Sequence, residues 1–299
     1  MRRGIRIALI CAAAAVAAVL AAVFIAANYM VTYAMDNSFG SDADFSGEWM
    51  VLNSRTETIT SRDGLELYGY FIPAESPSEK YVILVHGYKS AAVRMTEYAR
   101  HYHSLGWNVL APEHRAHGRS SGRYITMGSR EKHDIIDWAE FLASGHPESR
   151  ILLHGVSMGA ATVMLVTGEA VPSNVVAAVE DCGYTGAAEQ FTWQLREQFH
   201  LPYFPVIPAA SLVTRIRVGY TFGSVDCIRA VSRSSTPTLF IHGDRDTFVP
   251  FSMLERLYSA ASCDKDILVV PGAGHADSVT VNPELYWTKV DSFAGKYLR

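Results

Sequence analysis

His154-Gly155-Val156-Ser157-Met158-Gly159 follows the apolar run Arg150-Ile151-Leu152-Leu153 and precedes the small, helix-compatible run Ala160-Ala161-Thr162-Val163-Met164-Leu165. This is a G-x-S-x-G pattern between a predicted strand and a predicted helix, the setting that a nucleophile elbow requires. In such an elbow the chain reverses so sharply that a side chain at either glycine would strike neighbouring backbone. The serine is left at the tip with its hydroxyl exposed. Gly and Ser are also common in ordinary turns, so the rest of the chain has to supply the partners.

A serine hydroxyl is a weak nucleophile at neutral pH and needs a base, which in turn needs an orienting acid. Downstream lies Thr238-Leu239-Phe240-Ile241-His242-Gly243-Asp244-Arg245-Asp246-Thr247-Phe248-Val249-Pro250, an apolar strand running into a loop with two aspartates. Further on, Ile267-Leu268-Val269-Val270-Pro271-Gly272-Ala273-Gly274-His275-Ala276 is another apolar strand, whose following loop presents a histidine among small residues. All three candidates fall just beyond the carboxyl ends of predicted strands, the edge on which open parallel sheets build their sites. Asp246 is the expected acid. Asp244, closer to the strand, is expected to hold the loop through backbone N–H groups.

With these residues in place the chain resembles the α/β-hydrolases, and among them membrane-anchored bacterial members of the Bem46-like and alpha/beta-hydrolase-domain serine hydrolases. The resemblance runs from about Thr58 to the C-terminus. Val85-His86-Gly87-Tyr88 matches the family's H-G-x oxyanion segment. Glu113-His114-Arg115-Ala116-His117-Gly118-Arg119-Ser120 resembles its D-x-R-x-H-G-x-S loop, with Glu113 where the usual residue is Asp. The resemblance puts Ser157, Asp246 and His275 on the nucleophile, acid and base positions, and Asp244 on the non-catalytic aspartate of G-D-x-D-x-x-V-P. It implies an oxyanion hole from the backbone amides of Tyr88 and Met158. The Met158 amide also lies at the positive end of the following helix.

The N-terminus addresses location. Met1-Arg2-Arg3-Gly4-Ile5-Arg6 is basic, and Ile7 to Ala27 carries no charged or strongly polar side chain. About twenty apolar residues span a bilayer as a helix, whereas a signal-peptide core has about 7–15. The segment 1–30 therefore reads as an uncleaved signal anchor; cleavage at an A-x-A-like site near Ala21 or Ala26, giving a secreted form, is the alternative. The basic cluster puts the N-terminus in the cytoplasm and the rest of the chain outside it. Residues 31–53 read as a polar, acidic juxtamembrane segment with Gly40 and Gly47.

The remaining residues, 54–299, suffice for one large domain. Lys and Arg number 26 against 30 Asp and Glu, a formal net charge of -4 with no basic stripe, which argues against a nucleic-acid partner. Cys11 lies in the apolar span, leaving Cys182, Cys227 and Cys263. That count sets no disulfide framework; a Cys182–Cys227 bridge and free buried thiols are both open. No metal-ligand spacing and no cofactor motif is evident.

Alternating residues around Arg62-Asp63-Gly64 predict a hairpin. Apolar runs at Tyr81–Val85, Trp107–Leu110, Ile151–His154, Val175–Val179, Thr238–Ile241 and Ile267–Val270 bring the strands to about eight, and helices alternate with most of them. The expected fold is a doubly wound, mostly parallel eight-stranded sheet with an antiparallel start. Between Gly183 and Arg233 no strand is evident, yet aromatic residues are frequent. Helices forming a cap over the site are expected there, with Trp193 and Phe199 among the residues setting acyl length and short to medium chains preferred. The expected activity is hydrolysis of carboxylic esters or thioesters through an acyl-enzyme. A peptidase or acyltransferase would use the same residues, and a non-catalytic binding protein would keep only the fold.

Overall fold

Uninterrupted runs of Val, Ile and Leu favour strands buried on both faces, and such strands need helices on either side. The computed structural model, which describes residues 2–37 and 48–298, has this architecture. The predicted stalk residues 38–47, with Gly40 and Gly47, lie outside the described residues. The elements are α1 (Arg2–Met35), α2 (Trp49–Asn53), β1 (Arg55–Thr60), β2 (Glu66–Ile72), β3 (Lys80–Val85), α3 (Thr96–Ser104), β4 (Asn108–Pro112), α4 (Glu131–Gly145), β5 (Arg150–Val156) and α5 (Met158–Thr167). There follow β6 (Val175–Asp181), α6 (Ala187–Phe199), α7 (Tyr203–Arg217), α8 (Cys227–Arg233), β7 (Thr238–Gly243), α9 (Ser252–Ala260), β8 (Lys265–Val270), α10 (Ser278–Val281) and α11 (Pro283–Tyr297).

The eight strands form one sheet in the order β1-β2-β4-β3-β5-β6-β7-β8. β1 and β2 pair antiparallel, as do β2 and β4, and every later pairing is parallel. The register aligns the carboxyl ends: Val85 opposes Gly155, Val156 opposes Asp181, and Gly243 opposes Val270. The chain order reverses about β3, so the loops after β3 and β5 leave the sheet side by side, at the switch point where such sheets bind ligands.

The described residues form three core clusters, one of them around Ile83, Trp138 and Leu153 under α4. Tyr102, Trp107, Tyr286 and Phe293 belong to a second, and Met158, Met164, Phe240 and Leu257 to the third. Every residue of α5 is buried. No strand interrupts residues 183–233; α6 and α7 stand over the carboxyl edge, while α8 packs on α5. A Cβ added to Gly168 would lie 2.8 Å from Ala230 Cα.

Among the described residues, α1 is the helix long and apolar enough to cross a membrane, and its apolar stretch is exposed. Its far end departs from the sequence expectation. The helix runs on to Met35, and Ala27, Val31 and Met35 are buried against Ile207, Ala210 and Val213. Their i, i+4, i+8 spacing puts all three on one face, which makes the last turns of α1 part of the domain's core.

Candidate active site

The turn after β5 is as tight as its glycines require. Ser157 sits at φ 58° and ψ -118°, in left-handed backbone that L-residues rarely adopt. A Cβ on Gly155 would lie 2.3 Å from Gly159 O, and one on Gly159 would lie 1.9 Å from Val85 O. Neither position accepts a side chain without moving β3 or the start of α5, so the close approach fixes where Ser157 stands.

The structure brings Ser157, His275 and Asp246 into one hydrogen-bonded series. Ser157 Oγ is 2.8 Å from His275 Nε2, and His275 Nδ1 is 2.7 Å from Asp246 Oδ2. An imidazole held this way by a carboxylate can take the hydroxyl proton through its other nitrogen. Asp246 Oδ1 accepts the Phe248 and Val249 amides, each at 2.9 Å. Burial opposes the charge of Asp246, but hydrogen bonds from His242 and His275 outweigh it and hold the carboxyl well below its ordinary range. Asp244 Oδ1 instead accepts the Gly272 amide at 2.7 Å, tying the acid loop to the loop that carries His275.

Sequence reasoning missed the groups beneath this series. His242 Nε2 lies 3.0 Å from Val249 O and 3.2 Å from Asp246 Oδ2, so a second imidazole shares the carboxylate. Glu180 is fully buried; burial disfavours its charged form and pushes its pKa up to about 8, and its Oε2 accepts the Gly183 amide at 3.0 Å. Cys182 Sγ, Asp246 and His275 form the one set among the described residues with metal-ligating atoms within 4.8 Å of one another. Burial keeps the Cys182 thiol protonated, and a cation there would have to displace the hydrogen bonds of Asp246. The cysteines are free.

The loop after β3 passes close to the serine. A Cβ on Gly87 would lie 3.4 Å from Ser157 Cβ. Met158 is the first residue of α5, so its amide is among those that the helix itself leaves without an acceptor. Three buried imidazoles hold the loop after β3 from below. His86 Nε2 accepts the His114 amide (3.1 Å), His114 Nε2 faces His86 O (3.0 Å), and His117 Nε2 accepts the Lys89 amide (3.2 Å). Accepting a backbone N–H requires a neutral ring. Burial agrees, taking the His117 pKa down to about 3 and that of His114 well below its ordinary value. Glu113 fits beneath Gly118, where a Cβ would meet Glu113 Cδ at 2.6 Å, and Ser120 Oγ donates to Glu113 O at 2.8 Å. Sequence signalled these residues only as a loop motif; their joint role needs the alignment of β3 with β4.

A cavity of about 690 Å³ opens beside Ser157. Its walls are mainly apolar, with Tyr88, Met127, Phe191, Phe199, Ile207 and Phe222 among them. Phe199, expected to shape the pocket, lines it. Trp193 does not, because its Nε1 donates to Thr247 O at 2.9 Å and docks α6 on the acid loop.

This sheet order, with a strained serine turn after β5 and the acid and imidazole loops after β7 and β8, defines an α/β-hydrolase. The chain belongs to the α/β-hydrolase family that includes the uncharacterized protein YqkD of Bacillus subtilis. The two are 31% identical over 237 residues, covering 79% of this chain and 77% of YqkD. Residues 76–199 match the family described as serine aminopeptidase, S33. An esterase of Pyrococcus furiosus has a similar structure, with a TM-score of 0.71 at 24% identity over 89% of this chain and 99% of the esterase. An acylaminoacyl peptidase of Pyrococcus horikoshii is similar at a TM-score of 0.58 and 16% identity, over 85% of this chain and 43% of the peptidase.

Proposed function

We propose that the protein is a membrane-anchored serine hydrolase of carboxylic esters or thioesters, akin to the Bem46-like members of its family. Ser157 attacks the carbonyl carbon while His275 takes its proton, and Asp246 holds the imidazole in the productive tautomer. The amides of Tyr88 and Met158 stabilise the developing oxyanion, each contributing about 2.7–4 kcal/mol by analogy with single-donor removals. His275 then returns the proton to the departing alcohol or thiol, and water resolves the acyl-enzyme by the same steps in reverse. The hydrogen-bonded series from Ser157 through His275 to Asp246, opening on an apolar cavity, carries this reading. The basic residues before the apolar stretch of α1 orient it with the hydrolase domain outside the cytoplasm.

The match to serine aminopeptidases favours a second reading, cleavage of N-terminal peptide bonds. Binding a free α-ammonium calls for an anionic partner. The cavity lining carries Lys89 and, among the described residues, no Asp or Glu, which supports an uncharged acyl group.

The test is fluorophosphonate labelling and turnover of p-nitrophenyl butyrate and an aminoacyl p-nitroanilide by the wild type and Ser157→Ala. Ester turnover and labelling are expected in the wild type only, with turnover falling at least about 10⁴-fold in the variant. Ester turnover that survives in a folded Ser157→Ala protein would remove the nucleophile assignment. Preference for the anilide would establish the peptidase reading.

A further inference from the structure

The cavity beside Ser157 has a wall that the cap does not supply. Ala26, Tyr29, Met30, Tyr33 and Ala34 of α1 line it. Their spacing makes one stripe on the helix, about 12 Å long at 1.5 Å per residue. The stripe begins where the apolar stretch ends. Ile7 to Ala27 covers about 31 Å of helix, close to the thickness of a hydrocarbon core. One unbroken helix thus carries a lipid-length apolar segment and, from its last residues onward, the side of the cavity that leads to Ser157.

The same turns are fastened to the oxyanion loop. Tyr88 Oη donates to Ala34 O at 2.6 Å, and Lys89 Nζ donates to Tyr33 O at 2.9 Å. These carbonyls belong to the last turn of α1, where no intrahelical donor remains, and a cation there also suits the helix dipole. On the other side Arg217 of α7 reaches Asn28 Oδ1 at 3.0 Å and Thr32 Oγ1 at 2.7 Å. The helix is therefore docked at a fixed depth, and the domain has little freedom to swing away from it.

Exposed apolar side chains stand on the rim of the cavity beside the polar Lys89, Gln194 and Gln198. Tyr29 is 70% exposed, and Phe199 at the end of α6, Leu201 in the turn after it and Tyr203 and Phe204 at the start of α7 are exposed as well. Aromatic side chains in such a rim suit the bilayer–water interface.

We propose that the substrate is a bilayer-resident ester with a single long acyl chain, which enters the cavity sideways along Ala26–Ala34 without passing through water. This rests on the serine-hydrolase and anchor readings above, and it names a chain longer than the cap alone suggested. Moving from lipid to an apolar groove keeps every methylene out of water, whereas an aqueous route exposes them all.

The full-length protein is reconstituted in phosphatidylcholine vesicles with p-nitrophenyl palmitate either in the same vesicles or in separate ones, and p-nitrophenyl butyrate is the water-soluble reference. Palmitate hydrolysis is expected to be at least tenfold faster in shared vesicles, with butyrate turnover equal in both arrangements. Ala26→Trp, which fills the outer end of the stripe, is expected to lower the shared-vesicle palmitate rate at least tenfold. Ala22→Trp, one turn further into the apolar stretch and off the cavity, is expected to leave it unchanged. Equal palmitate rates in the two arrangements, or equal effects of the two tryptophans, would overturn the lateral route while butyrate turnover preserved the hydrolase reading. No turnover of either ester would remove both.

Discussion

Asp246→Asn removes one charge, but its larger effect is to reverse a hydrogen bond. The Phe248 and Val249 amides, each 2.9 Å from Oδ1, select the acceptor end of the new side chain. The amide NH₂ then occupies the place of Oδ2, 2.7 Å from His275 Nδ1 and 3.2 Å from His242 Nε2. Two N–H groups cannot face each other there, so His275 moves its proton to Nε2. That nitrogen is the one 2.8 Å from Ser157 Oγ, and the hydroxyl loses its base. The expected loss in kcat is about 10⁴-fold, or about 5.5 kcal/mol at the transition state. KM for p-nitrophenyl butyrate should change little, because Asp246 does not line the cavity. Asp244→Asn keeps an oxygen for the Gly272 amide and should retain kcat within about threefold, since an amide carbonyl accepts as the carboxylate did. The assay is steady-state turnover of both variants in detergent, with far-ultraviolet circular dichroism to establish that each is folded. A folded Asp246→Asn protein within tenfold of wild-type kcat, or a greater loss from Asp244→Asn, would refute the reasoning.

Three further outcomes follow from other parts of the molecule. Glu180 has its folded pKa pushed up to about 8 by burial, above its ordinary 4.5, so between these values the unfolded chain binds fewer protons and stability falls as pH rises. Thermal melts from pH 5 to 8 should show wild type losing stability relative to Glu180→Gln, at up to about 1.4 kcal/mol per pH unit; parallel curves would contradict a protonated buried acid. A chain beginning at Glu48 keeps α2 and its buried Met50 but loses Val31 and Met35 from the core, each contributing about 1.5–3 kcal/mol. Its Tm should lie at least about 6 °C below that of a chain beginning at Ala26, and equal melting would mean that the end of α1 only rests on the domain. The intact protein should stay with membranes through alkaline carbonate and be open to protease added outside the cell, whereas a soluble form starting near Asn28 would indicate a cleaved signal.

The parts of this molecule that were legible in its sequence are those where sterics or strand burial leave few residue choices. Gly155 and Gly159 are required by contacts of 2.3 and 1.9 Å, and apolar runs ending in Gly or small residues marked the loops of Asp246 and His275. The groups that escaped notice are brought together only by register. His242 reaches Asp246 across one loop, but Glu180 comes near His242 through the pairing of β6 with β7, and His86 meets His114 through the alignment of β3 with β4. The docking of α1 was hidden for another reason. Ala, Val and Met look alike whether a helix faces lipid or protein, so the stripe of Ala27, Val31 and Met35 read as the end of a span and the start of a stalk. Trp193 looked like a pocket aromatic because hydropathy does not reveal that an indole N–H has a backbone carbonyl within reach.

All of α5 from Met158 to Thr167 is buried, whereas α6 and α7 leave much of their length in contact with the surroundings. Local opening follows buried contact, so amide hydrogens behind the serine should exchange only when the whole domain unfolds, and those of the exposed junction of α6 and α7 far sooner. The two halves of the site therefore differ in permanence. The proposed nucleophile is seated against the slowest-opening part of the chain, and the walls proposed to select its substrate are set in one of the fastest. Under mild heat or denaturant, discrimination among acyl chains should fail before turnover of a small ester does, with the protein still folded around its serine.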